Sequence, residues 1–208
     1  MRRLILLFMA MAATAVAYSQ ITASAAFRDA PASVLPLLDR NTRLDMIDYF
    51  NSGSATASKN SMQGQSRITA LSPASLSATL TGSSDCQLAL LPMRGDTAIV
   101  YIETVRLPAS DSRVRVYDRN WKPLASKSFV QPSVADWLTK EGEKNSTAVN
   151  ALVPFMLSSA QYAPETQTLT LTNRLSDFLS PDIYGQVAPW LLPELTYRWD
   201  SSRFTRVK

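Results

Sequence analysis

The chain has 208 residues, 46% of them hydrophobic, with 21 Lys and Arg set against 17 Asp and Glu. Discounting Arg2 and Arg3 at the extreme start lowers the formal charge from +4 to +2, which excludes the concentrated cationic surface that binds nucleic acid. Cys86 is the single cysteine, so an intramolecular disulfide is impossible, and the absence of histidine removes the commonest general base and neutral metal ligand together.

Met1-Arg2-Arg3 is followed by an apolar stretch, Leu4 to Ala17, broken only by Thr14. Its 14 residues fall short of the about 20 that a membrane-crossing helix needs, and the segment is expected to be a signal peptide covering residues 1–19. Small residues allow cleavage after Ala17 or after Ser19, just before Gln20, and the second is favoured. No cysteine stands after the apolar stretch to take a lipid, and no second apolar span occurs. The processed chain is therefore expected to lack a transmembrane segment and to reside in the periplasm, with secretion beyond the outer membrane as the other destination. Removing 19 of 208 residues leaves 189, enough for one domain with a sizeable core.

Residues 20–30 are small and polar and read as a flexible lead-in, with a single α+β domain expected over 31–208. Pro31 to Leu38 suggests a short helical turn. Thr42-Arg43-Leu44-Asp45 has the spacing of a capping box before a helix ending near Gly53, with Leu44, Met46, Ile47 and Phe50 on one face and Asp45 and Asp48 on the other. Residues 51–64 lack periodicity and read as loop. Short alternating runs then predict strands at 66–71, 76–81, 86–92, 97–106 and 113–118, and Cys86 is expected to behave as a small buried apolar residue within the third.

Asp118-Arg119-Asn120 marks a turn. A short helix is expected over Ser133 to Lys140, with Val134, Trp137 and Leu138 inward, followed by a polar loop from Glu141 to Thr147. Further strands are predicted at 151–159 and over Thr166 to Thr172, whose strict alternation implies one wet and one buried face. The end of the chain is aromatic and reads as a short helix from Asp182 and a final strand from Leu195.

Candidate chemistry is sparse. Neither a Gly-x-Ser-x-Gly elbow nor a Ser-x-x-Lys pair occurs, and there is no calcium loop, phosphate-cradling glycine loop or dinucleotide fingerprint. No cofactor, metal ligand or catalytic residue is expected. Asp45 and Asp48, three residues apart, form the one carboxylate pair worth weighing for glycan hydrolysis, and their place on a wet helix face explains them equally well without a substrate. Asp96-Thr97-Ala98 matches the short signal that exported Bacteroidales proteins use for O-glycosylation, which makes Thr97 a candidate modification site. Arg198, Arg203, Arg206 and Lys208 alternate with aromatic residues in the tail; they are candidate surface contacts to anionic lipid or glycan, or the cationic guard of an edge strand whose rings pack inward.

The run Pro36-Leu37-Leu38-Asp39-Arg40-Asn41-Thr42-Arg43-Leu44-Asp45-Met46-Ile47-Asp48-Tyr49-Phe50 resembles a family of exported Bacteroidales proteins catalogued as domain of unknown function thirty-two fifty-six. Ile68 to Ser72, Leu90-Leu91-Pro92 and Val116 to Leu124 resemble it as well, so the similarity spans nearly the whole mature chain. The resemblance implies a periplasmic or envelope setting and carries no activity, cofactor or catalytic residue.

The expected architecture is α+β: a predominantly antiparallel, curved sheet of about seven strands, with an N-terminal amphipathic helix and shorter helices packed on it. The expected function is a non-enzymatic envelope protein that binds an unidentified protein or envelope component. Two alternatives are a carrier with an apolar cavity for a lipid or other hydrophobic ligand, and, behind it, a carboxylate-dependent glycan hydrolase.

Overall fold

Alternating residues become strands where at least one face is covered, and most of this chain is organised by that rule. The structure, a computed structural model, describes residues 21–207. Two helices, α1 (Ala23–Asp29) and α2 (Arg40–Asn51), lead into six strands: β1 (Ser58–Lys59), β2 (Gln65–Leu71), β3 (Ser75–Thr81), β4 (Ser84–Met93), β5 (Asp96–Val105) and β6 (Asp111–Asp118). These form an antiparallel meander whose spatial order equals chain order. Next come α3 (Lys140–Lys144), α4 (Ser146–Leu152), β7 (Ser158–Ala163), β8 (Thr168–Asn173), α5 (Pro181–Val187), β9 (Glu194–Trp199) and β10 (Phe204–Arg206). The last four strands make a second antiparallel sheet in the order β10-β9-β8-β7.

The larger sheet is covered on both sides. In β4 and β5, Cys86, Leu88, Ile99 and Tyr101 join Phe27, Leu35, Leu38 and Met46 in a core beneath α1 and α2. Their strand neighbours Ala89, Leu91, Ala98, Val100 and Ile102 point the other way, into a second core with Leu169, Leu171, Leu195 and Trp199 of the smaller sheet. Helices, six-stranded sheet and four-stranded sheet thus stack as successive layers, which explains why β5 is the most apolar strand.

The α+β class holds, but one curved sheet of about seven strands does not describe the molecule: there are two antiparallel sheets, of six and four strands. The meander stops at β6 because its outer edge is taken by the following chain. The Leu124 amide donates to the Val116 carbonyl, the Asp118 amide donates to the Lys122 carbonyl, and Tyr117 bridges to Pro123. With that edge covered, the later strands assemble elsewhere.

Three local expectations also change. Part of the segment read as a flexible lead-in is α1, capped by the Thr22 hydroxyl, which accepts from the Ala25 amide at 3.2 Å. Ala23, Ala26 and Phe27 are fully buried there. Helix α2 starts earlier than the Thr42 box implied, because Asp39 is its N-cap and accepts from the Thr42 amide at 2.7 Å. Its inward face is not a clean apolar stripe: Met46 is buried beside Arg43, while Leu44, Ile47 and Phe50 are half-buried. The strand expected at 151–159 is the end of α4, an irregular stretch and the start of β7, and the expected loop from Glu141 holds α3 and the start of α4.

Candidate binding groove

The face that the large sheet turns toward the small one changes character along its length. On β4, Asp85 and Gln87 precede Ala89 and Leu91; on β5, Thr104 follows Ile102 and Val100; on β6, Ser112 precedes Val114 and Val116. The change from polar to apolar falls on one line across three strands, and β7 runs along it. The Gln87 amide group holds the outer edge of β7 through two bonds to one residue, its Nε2 donating to the Tyr162 carbonyl at 2.8 Å and its Oε1 accepting from the Tyr162 amide at 2.9 Å. The Ser112 hydroxyl accepts from the Ala160 amide at 2.8 Å, and Asp111 Oδ1 accepts from the Ser158 amide at 3.2 Å.

Every second amide on the outer edge of β7 is therefore bonded to a side chain rising from the large sheet. An edge that would otherwise present unpaired donors is closed without another strand. The small sheet stands on this edge, so β7 divides the space between the sheets. One side is the apolar core. The other is an open, polar corner.

That corner is a groove of about 800 Å³. The large sheet contributes Thr69, Ser77, Asp85 and Thr104 as one wall. The other wall is the outward face of the small sheet, Ser159 and Gln161 from β7 beside Thr168, Thr170 and Thr172 from β8. The threonine alternation in β8 thus has a definite use: Leu169 and Leu171 are fully buried in the core, and the three threonines line the groove.

Three charged side chains frame the site. Asp85 is paired with Arg106 at 2.9 Å. Glu194 accepts from the Thr172 hydroxyl at 3.3 Å and is exposed at the rim. The Arg174 Nε donates to the Ser159 hydroxyl at 2.9 Å, and among the described residues no carboxylate lies within ion-pair distance of its guanidinium.

Of the residues singled out in the sequence, the structure brings one to the margin of this site. Arg198 is exposed on β9 directly opposite Thr168, on the same wet face as the groove threonines. Arg203 instead pairs with Asp200 at 3.5 Å, and Arg206 lies on the edge strand β10 opposite Tyr197. Tyr197, Trp199 and Phe204 pack inward, as an edge strand guarded by cations requires. Thr97 is half-buried at the start of β5, opposite Pro92 and at the far end of the β4-β5 hairpin from the groove. Asp45 and Asp48 are exposed on α2, away from the groove. Ser19, Gln20 and Lys208 lie outside the described residues.

Sequence reasoning missed Gln87, Arg174 and Glu194. The available signal was the interruption of an apolar strand face by Asp85 and Gln87, which on one strand alone reads as fraying. Among the described residues no cluster of carboxylate and thiol ligands forms a metal site, and no helix is long and apolar enough to cross a membrane.

The two-sheet arrangement with its corner groove defines a class of small α+β domain, and its relatives place it more narrowly. The chain belongs to the family described as Protein of unknown function (DUF3256), whose model matches residues 15–204. Its fold is similar to the structure of a domain of an uncharacterized protein from Porphyromonas gingivalis W83, with a TM-score of 0.74 at 23% identity over 88% of this chain and 96% of that one. No curated protein matches the chain.

Proposed function

We propose that the protein is an exported, non-enzymatic module of the cell envelope that binds its ligand or partner in the groove between the two sheets. The observation that carries this is the groove itself: an open site whose walls hold hydroxyl, amide and charged side chains, formed where β7 crosses the large sheet. Concave sites with convergent polar groups are the usual location of ligand contacts. Export rests on the basic start and short apolar segment of the sequence, and both candidate cleavage points precede Thr22, the residue that caps α1.

A hydrophobic carrier would need an apolar cavity beneath the helices. Phe27, Leu35, Leu38, Met46, Leu76 and Leu88 are packed there with no more than 2% exposure each, and the hollow of about 460 Å³ between α2 and β2 is lined by Ser54, Thr56, Arg67 and Thr69 as well as by Met46 and Phe50. Glycan hydrolysis has one observation in its favour, since Asp85 and Glu194 both reach the groove, but Asp85 is already engaged in an ion pair with Arg106.

The test fills the groove. Thr170→Trp places a ring in the centre of the β8 wall without touching either core, and it is expected to abolish retention of the native ligand from an envelope extract while the melting temperature stays within a few degrees. Equal retention by this variant and the unaltered protein would remove the groove as the binding site. Release of reducing ends from glycans by the unaltered protein, lost in Asp85→Asn, would establish an enzyme instead.

A further inference from the structure

We propose that the groove binds an extended acidic polysaccharide, with Arg174 and Arg198 contacting its carboxylate or sulfate groups. This rests on the groove being the binding site and specifies the ligand it takes.

Peptide addition as an extra strand is closed off along β7. The amides of Ser158, Ala160 and Tyr162 are already donated to Asp111, Ser112 and Gln87, so no backbone ladder is open to a peptide there. A hydrophobic ligand finds little continuous apolar wall, because Ile102 and Ala163 are set among Ser77 and Thr104 on one side and Gln161 and Thr170 on the other. Such walls suit a polyhydroxylated chain, whose groups both donate and accept. Thr168, Thr170 and Thr172 repeat every second residue, roughly 7 Å apart along an extended strand, which offers regularly spaced partners to a polymer.

A neutral sugar chain is usually held in part by stacking on aromatic rings, and no ring lines this groove. Selectivity then falls to charge. Arg174 is anchored through Nε by Ser159, which leaves its two terminal nitrogens as a preset fork for an anionic group. Arg198 is free of ion pairs among the described residues and projects opposite Thr168.

The two cations sit toward opposite ends of β8. Thr172, the neighbour of Ser159, is four residue steps from Thr168, or about 13 Å, so only an extended ligand touches both. Of the two groove carboxylates, Asp85 is neutralised by Arg106. Glu194 at the rim remains an acceptor for sugar hydroxyls and sets where the anionic group cannot lie.

The test titrates the mature chain calorimetrically with four probes: hexagalacturonate, a heparin-derived hexasaccharide, maltohexaose and a Ser/Gly decapeptide. At least one acidic oligosaccharide is expected to bind, to lose about tenfold or more in affinity in Arg174→Gln/Arg198→Gln, and to weaken between about 50 and 300 mM salt. The two acidic probes separate carboxylate from sulfate preference. Equal binding of maltohexaose, binding of the peptide alone, undiminished affinity in the double variant, or no binding of either acidic probe overturns the proposal.

Thr170→Trp separates the two levels of inference. If that variant loses the native ligand while the acidic probes fail, the groove stands and the acidic class falls. If acidic probes bind the variant undiminished, the groove falls as their site.

Discussion

At the scale of single residues, several side chains act through backbone contacts that sequence patterns do not reveal. Asp200 closes the turn between β9 and β10: its carboxylate accepts from the Ser202 hydroxyl at 2.7 Å, the Ser202 amide at 3.0 Å, the Arg203 amide at 2.9 Å and the Thr205 hydroxyl at 3.2 Å. Those donors, led by the Ser202 hydroxyl, lower its pKa to about 2. Because the folded value lies below that of an unfolded aspartate, about 3.9, the stabilisation is complete above the unfolded value and is lost as pH falls toward the folded one. The Ser202 and Arg203 amide resonances are expected to titrate with a midpoint near pH 2 in the folded protein. Asp200→Asn should erase that titration, and a midpoint near 4 would show that the turn does not hold the carboxylate. Cys86 illustrates the opposite case, since its burial among apolar neighbours was legible from its place in a strand, and desolvation raises its thiol to about 12.

At the scale of elements, α1 is the informative departure. Seven residues are too few to be helical alone, so the segment owes its structure to what it packs on. Its C-terminal carbonyls are received by a residue from the next helix: Arg43 is 5% exposed and donates through Nη1 to the carbonyls of Phe27 and Ala30 and through Nε to that of Asp39. Trp121 reaches the same helix from the far end of the meander, its indole donating to the Ala26 carbonyl at 3.2 Å.

Leaving a buried acceptor unpaired costs roughly 1–3 kcal/mol, so Arg43→Met is expected to lower the unfolding free energy by about that much or more. Chemical denaturation measures it, and protection of the Ala26 and Phe27 amides from hydrogen exchange should fall in the same variant. An unchanged denaturation midpoint would mean that α1 is held by its apolar face alone. The lead-in was misread because small, polar residues such as Thr22, Ala23 and Ser24 give no periodic signal over so short a span. The meander was readable because five consecutive strands are alternating or continuously apolar runs of seven or more residues, separated by turn residues. β7 was not, since Ser158 and Tyr162 are its only fully buried residues, as expected of a strand standing at a corner.

At the scale of the whole molecule, the decisive contact is the seating of β7 on the large sheet. Gln87 supplies a donor and an acceptor to the same residue, Tyr162, as a neighbouring strand would. Replacing it by Leu keeps the volume but leaves two backbone groups unpaired, and a loss of roughly 2–4 kcal/mol is expected, with Glu, which keeps the acceptor, costing less. Equal stability of Gln87→Leu and the unaltered protein in urea would show that apolar packing alone fixes the sheet-to-sheet arrangement. The same variant should weaken groove binding, because β7 supplies one wall.

By itself the sequence determined the family, the α+β class and the strands from 65 to 118, all of which depend on local periodicity and turn chemistry. It also foretold that the threonines of β8 would face away from the core. Only the tertiary structure decided that there are two sheets, that α1 completes a core, and that the wet face of β8 meets Asp85, Gln87 and Thr104 in a groove. The reason is range. Periodicity reports which face of a strand is dry, whereas the groove exists because residues about 75 positions apart, Gln87 and Tyr162, bond to each other and set one sheet on edge against another.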